Sequence, residues 1–226
     1  MSYGAMLTDS AGVPFYIGDT MPLTLLEKRV LSVPAASGSG AVINLFNNDG
    51  VIRFVFVNSN GAQGNAQSTC EALELSGGVW SLRCAGAART VNVYIFGYQF
   101  QPVPAWGIQI NDSQGRCILT NETKVLRDVQ KLGDEGSDSG SGFNANFTLS
   151  GEWAVAPAYT GNYTGTVSQG GQVYPLVAQY ASSARFNGST TQVASGYIGN
   201  LNTGGGGTGT MTNYRNRLVA VNVQRY

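Results

Sequence analysis

The sequence predicts an all-β protein, and three observations carry that prediction. Only 12% of its residues are charged, against about 25% in an ordinary globular domain. Surface helices draw their solubility and i,i+4 pairing from Glu, Lys and Arg, so this composition disfavours them. The chain carries 31 glycines, and clusters of Gly, Ser, Asn and Asp recur about every ten residues, the spacing of a sandwich or barrel. Between those clusters the apolar residues alternate with period two, as on a half-buried strand.

Taken in order, the segments read as follows. Met21–Leu31 and Thr123–Leu132 carry weak helical spacing, yet Thr24, Val30 and Val33 suit a strand, and strand is the reading preferred. Ala41–Phe46 and Val51–Asn58 flank Asn47-Asn48-Asp49-Gly50, whose Asp-Gly pair predicts a hairpin. Val51–Asn58 sets Ile52, Phe54 and Phe56 on one face and Val51, Arg53, Val55 and Val57 on the other. Leu73–Leu75 and Val79–Leu82 form a second hairpin around Ser76-Gly77-Gly78. Thr90–Phe100 sets Val91, Val93 and Ile95 against Asn92, Tyr94, Phe96 and Tyr98, and Arg217–Tyr226 sets Val219, Val221 and Val223 against Leu218, Ala220 and Asn222. Phe143–Leu149, Glu152–Val155, Gly165–Val167, Val173–Tyr180 and Gln192–Ile198 are further strands. Pro175 should make the fourth of these an edge or a broken strand, because proline gives no N–H to a ladder.

An internal repeat organises the chain. Tyr3-Gly4-Ala5-Met6-Leu7-Thr8-Asp9-Ser10-Ala11-Gly12 matches Trp106-Gly107-Ile108-Gln109-Ile110-Asn111-Asp112-Ser113-Gln114-Gly115. The shared pattern is an aromatic-Gly start, alternating residues, then Asp-Ser-x-Gly. Each copy continues into an apolar pair, Phe15-Tyr16 or Ile118-Leu119. This describes a strand, a turn capped by the Asp with the Gly at positive φ, and a return strand. The second copy starts just after Gln101-Pro102-Val103-Pro104, a stiff segment of linker type. The expected organisation is two tandem antiparallel β-sandwich-like modules, residues 1–103 and 104–226.

The residues that chemistry would need are sparse. The chain has no histidine, which removes Ser-His-Asp and Cys-His pairs and most zinc sites. Gly204–Gly209 lacks the Lys-Ser/Thr and helix of a phosphate loop. Asp134, Glu135 and Asp138 lack the ligand spacing and closing Glu of a calcium loop. A glycosidase needs two facing carboxylates, and Glu152 beside Trp153 is the one place where sugar chemistry could be sought. A strand residue on a solvent face is the better reading of it. Neither an enzyme nor a cofactor is therefore expected. The sequons beginning at Asn121, Asn146, Asn162 and Asn187 follow from an Asn/Thr/Ser-rich composition.

Thirteen basic residues balance thirteen acidic ones, so nucleic acid and membrane insertion are not expected. The start Met1-Ser2-Tyr3-Gly4 has no basic and apolar leader pattern, consistent with synthesis in a cytosol. Cys70 and Cys84 flank the second hairpin, and a three-residue loop would place them opposite each other, within disulfide reach. In a reducing cytosol the favoured reading is that both are small buried thiols. Tyr159, Tyr163, Tyr174, Tyr180 and Tyr197 alternate with Asn, Gln, Ser and Thr. Such a texture suits either ordinary strands or an adaptable binding surface.

The two openings resemble those of small structural proteins from the tails of long-tailed bacteriophages. Val93-Tyr94-Ile95-Phe96-Gly97-Tyr98 followed by Pro102-x-Pro104-x-Trp106-Gly107 is similar to the junctions between their modules. The resemblance implies a virion component of the tail tip or tail fibre, made in the bacterial host cytoplasm. It would contact other virion tail proteins, form a homo-oligomer and serve tail assembly and host attachment. The alternatives are a module that binds a host surface receptor or glycan through the Tyr-rich second half, and a decoration protein of a capsid or tail tube.

Overall fold

The computed structural model describes residues 6–8, 12, 14–17, 21–60, 69–133, 145–200, 209–213 and 217–226. Every regular element among them is a strand, so the all-β reading holds. Of Met21–Leu31, Thr24–Leu31 lies in a strand, and of Thr123–Leu132, Val129–Leu132 does; among the described residues no helix is long and apolar enough to cross a membrane. The first half holds β1 (Met6–Thr8), β2 (Pro14–Ile17), β3 (Thr24–Val33), β4 (Ala36–Asn47), β5 (Arg53–Asn60), β6 (Thr69–Ser76), β7 (Val79–Gly86) and β8 (Arg89–Gly97). The second holds β9 (Gln109–Asn111), β10 (Cys117–Thr120), β11 (Val129–Leu132), β12 (Asn146–Ser150), β13 (Trp153–Val155), β14 (Tyr159–Gln169), β15 (Gln172–Phe186), β16 (Thr190–Asn200), β17 (Gly209–Asn213) and β18 (Leu218–Asn222).

Both repeat copies fold as the expected hairpin, with the same register. Met6 faces Ile17, Leu7 faces Tyr16 and Thr8 faces Pro14. Gln109, Ile110 and Asn111 face Thr120, Leu119 and Cys117 in the same sequence, and each ladder slips at the matching position. The turn glycines match too, Gly12 at φ 80° and Gly115 at φ 79°. In the second copy Asp112 Oδ1 accepts the backbone N–H groups of Gln114 and Arg116, both at 2.9 Å.

The remaining pairings also recur. In the first half β3 pairs β8, β8 pairs β5, and β4–β7–β6 form a separate sheet. In the second half β11 pairs β18, β18 pairs β13, β12 pairs β16 and β16 pairs β15. The expected boundary near Pro102–Pro104 is nevertheless no seam between sheets. One edge of β5 takes antiparallel β13 at Val57–Val155 and then parallel β15 at Ser59–Arg185 and Asn60–Phe186. Strands of both halves thus share one sheet of 11 strands. The start of β3 also bridges to the second half at Thr24–Val125.

Side-chain alternation explains the layers. Val55, Val57, Val91, Val93 and Ile95 point into the first core with Leu82 and Cys84. The opposite faces of the same strands supply Phe56, Tyr94 and Phe96 to a core shared with Ala154, Val221 and Val223. Leu132, Val155, Val193, Leu218 and Ala220 fill the second-half core. A fourth cluster joins Cys70, Ala72 and Ala85 on the outer face of β6–β7 to Ala181 and Ile198. Its small residues let the sheets approach closely.

Two local expectations change. Asp49-Gly50 makes a corner, not a hairpin, since β4 pairs β7 while β5 pairs β8 in another sheet. Asp49 Oδ1 accepts the N–H of Val51 at 3.0 Å and binds Arg53 at 2.6 Å, turning the chain from one layer to the other. The β6–β7 hairpin has a two-residue turn, Gly77-Gly78, with φ 58° and 78°, as type I′ geometry requires. Register therefore shifts by one from the expected pairing: Cys70 faces Ala85, and Glu71 faces Cys84. Because neighbours on a strand alternate in face, the two cysteines lie on opposite sides of the sheet, and all three cysteines are free and buried. The reading of Pro175 holds in its edge form: β15 runs unbroken through Pro175, and among the described residues it pairs there with β14 alone. Its ladder with β16 begins at Ala178.

Candidate functional site

The end of the first core holds a buried ionic group. Arg89 at the start of β8 donates to Glu71 Oε1 on β6 through Nε at 2.9 Å and Nη2 at 2.5 Å. Arg185 of β15 is buried close by. Burial raises the Glu71 pKa above its ordinary value, although the charges of Arg89 and Arg185 pull it down. Burial, and then the like charge of Arg89, lower that of Arg185. Around them Ser59 Oγ donates to the Ala184 carbonyl at 3.2 Å, and Thr69 meets Ser183 at 3.3 Å. These contacts tie β5 and β6 to β15. With no access from solvent, the group is a fastening between the halves and not a reaction centre.

The thiols are equally inert. Burial, followed by the Glu71 charge, pushes the Cys84 thiol up to about 12 and raises that of Cys70 still further. A thiol must ionise to attack, so neither is a nucleophile at neutral pH.

Glu152 lies in the link before β13, part-buried, and not on a strand's solvent face as the sequence suggested. Its Oε1 accepts from Asn58 Nδ2 at 3.0 Å, and Asn58 Oδ1 accepts from Asn92 Nδ2 at 2.9 Å. Burial and then the Glu152 charge push the nearby Tyr94 phenol above its ordinary value. Glu152 is thus committed to holding β13 against β5. Among the described residues no group of three or more His, Cys, Asp or Glu is placed to hold a metal. Asp134, Glu135, Asp138 and the run from Gly204 lie outside the described residues, apart from Gly209, which begins β17.

The tyrosines separate into distinct roles. Tyr159 is part of the seam: its hydroxyl donates to Glu74, which also pairs with Arg83 at 2.8 Å. Tyr180 and Tyr197 face each other across β15–β16, with ring centroids 6.0 Å apart and edge to face. The Cys70 thiol donates to the Tyr197 carbonyl from the seam side at 3.2 Å, while the Tyr197 ring is exposed. Tyr174 lies on the part of β15 beyond β16, exposed, with its hydroxyl donating to Gln172 Oε1 at 2.8 Å. Tyr163 is a strand residue of β14.

The sequence carries a signal here that reading by motif passes over. From Ala154 to Tyr214 the only charged residue is Arg185, and it is buried at 6% exposure. The described surface of β14–β15–β16 therefore presents hydroxyl, amide and phenol groups with the apolar Val173, and no charge. A neutral surface of this kind cannot steer a charged ligand, but it can hydrogen-bond and stack. No protein-family model, curated protein or solved structure matches this chain.

Proposed function

We propose that this chain is a non-enzymatic structural component of a bacteriophage tail, at the tip or fibre, built from two copies of one β-sandwich unit. One observation carries the reading: the aromatic-Gly…Asp-Ser-x-Gly opening recurs as a hairpin of identical register, followed in both halves by the same strand pairings. Duplication of a unit with no reactive group repeated in both copies is the mark of architecture, since each copy supplies surface and stiffness. The two units are not independent beads. They share β5 and an aromatic core, which suits a part that must bear load without bending at a linker. The test is composition of the particle. Mass spectrometry and antibody labelling of density-purified virions should find the chain in the tail, and its absence from intact particles would sink the proposal.

A second reading has its own support in the charge-free sheet of the second unit. That sheet favours recognition of a host surface receptor or glycan over a purely architectural role, because a surface shaped only for solubility would carry Lys and Glu. Binding of the intact chain to host cells, measured by flow cytometry with a fluorescent label, tests it directly. Binding no greater than to unrelated cells would remove this reading and leave the first in place.

A further inference from the structure

The repeated pairings allow the shared frame to be subtracted from the second unit. Between β7 and β8 there are only Ala87 and Ala88, whereas residues 201–217 lie between β16 and β18 and include β17. Residues 61–68 separate β5 from β6, too few for a counterpart of β14, which alone has 11 residues. What the second unit adds is therefore β14, β17 and the length of β15 before Ala178. Of this addition, β17 reaches β14 only from Gly161 to Gly165, and β16 reaches β15 only from Ala178 onward. Thr166–Gln169 and Gln172–Val177 thus project past both flanking strands as a two-stranded arm, closed by Gly170-Gly171.

We propose that this arm binds a neutral oligosaccharide, with Tyr174 as its stacking residue. The inference rests on the recognition reading above and gives it a place and a ligand class. A free two-stranded hairpin is marginal in water, so an arm retained for architecture should carry charge or a covering strand. Among the described residues this one has neither. Thr166, Ser168, Gln172 and Pro175 are exposed beside Val173 at 68% and Tyr174 at 42% exposure. Phosphates, acidic sugars and anionic membranes need a cation, and the arm contains none. Strand addition along β15 is opposed by Pro175, which has no N–H to offer a new neighbour. A neutral sugar fits what is left. Its apolar face stacks on a phenol ring, and its hydroxyls both give and take hydrogen bonds. Tyr174 spends its proton on Gln172 Oε1, so its oxygen is left as an acceptor, and the Gln172 amide NH2 supplies donors beside it.

The experiment uses the full chain on an array of neutral and acidic glycans, followed by calorimetric titration of the best neutral hit. Y174A should weaken that binding roughly tenfold or more, while Y98A, at a tyrosine exposed elsewhere, should leave it unchanged. Both variants should melt close to the parent, since both residues are exposed and outside the buried cores. Neutral-glycan binding that Y174A leaves intact, or hits confined to acidic glycans, overturns the arm while the recognition reading stands. Host-cell binding that resists Y174A but is abolished by S168P, with the array silent, assigns the arm to strand addition along β14, and overturns the sugar. An array silent for the parent, with host-cell binding retained, also overturns the glycan. Silence in both removes the recognition reading itself.

Discussion

Arg89 holds a single oxygen of Glu71 with two of its nitrogens, and both side chains are only 1% exposed. The other oxygen, Oε2, has no hydrogen-bond partner among the described residues, so the pair depends heavily on the one guanidinium. R89M should destabilise the chain by about 3–5 kcal/mol, the range for a buried ion left without its partner. E71L/R89M should lose clearly less, because neither member of the pair is left buried without the other. Urea titrations of the parent and both variants measure the difference, and equal losses would refute the account.

The same pair sets a pH dependence. A carboxyl whose folded pKa is raised binds its proton more tightly in the fold than in the unfolded chain. Its stabilising contribution is then complete below the unfolded value and is lost as pH rises through the folded one. Removing Arg89 takes away a lowering influence, so the R89M deficit should be larger at pH 8 than at pH 5. A deficit that does not change with pH would contradict this.

The shared aromatic core predicts one unfolding transition in place of two. Phe96 is fully buried, edge to face with Phe56 at 5.9 Å and with Tyr226 at 5.0 Å. F96A should cost about 3–5 kcal/mol. Fluorescence from Trp80 in the first half and from Trp153 in the second, each read with the other two tryptophans replaced by Phe, should report the same midpoint. Midpoints that separate would mean that the halves unfold independently.

The thiols offer a direct test of register. All three should be titratable in denaturant without reductant and should resist modification in the native chain. A Cys70–Cys84 bridge found by mapping would require the β6–β7 register to move by one residue.

Much of this was legible in the residues, and the losses have physical causes. Thr90–Phe100 and Arg217–Tyr226 were readable because alternation depends only on the strand itself. Both faces of β5 proved buried at Val55, Phe56 and Val57, which alternation alone does not tell. Partners were not readable, since pairing joins residues distant in sequence. Asp49-Gly50 serves a corner with the same turn chemistry that serves a hairpin. The cysteine register hung on a single residue of loop length. Of the candidate site, the tyrosine texture could be seen as composition. The arm could not, because it exists only where β16 and β17 stop pairing.

Acid should loosen the second opening hairpin. Desolvation raises the Asp112 pKa, but hydrogen bonds from the Arg116 backbone and guanidinium and the Gln114 backbone outweigh it, so the net shift is downward. For a lowered carboxyl the stabilising contribution is present above the unfolded value and is lost as pH falls through the folded one. D112A should therefore speed amide exchange at Gln114 and Arg116 at neutral pH. The parent should approach the same rates, corrected for intrinsic exchange, only at pH below the ordinary carboxylate range. Unchanged protection in D112A would overturn the cap.

The edge of β5 has a consequence for synthesis. As the polypeptide leaves the ribosome, β3, β8 and β5 can pair as soon as Gly97 has emerged. The far side of β5 then waits for Val155 and, later, Arg185. Throughout that interval the nascent chain displays an apolar strand with open hydrogen-bonding groups, the template on which aggregation starts. Products truncated between about residues 100 and 150 should therefore be the insoluble ones. The completed chain closes the exposed edge itself.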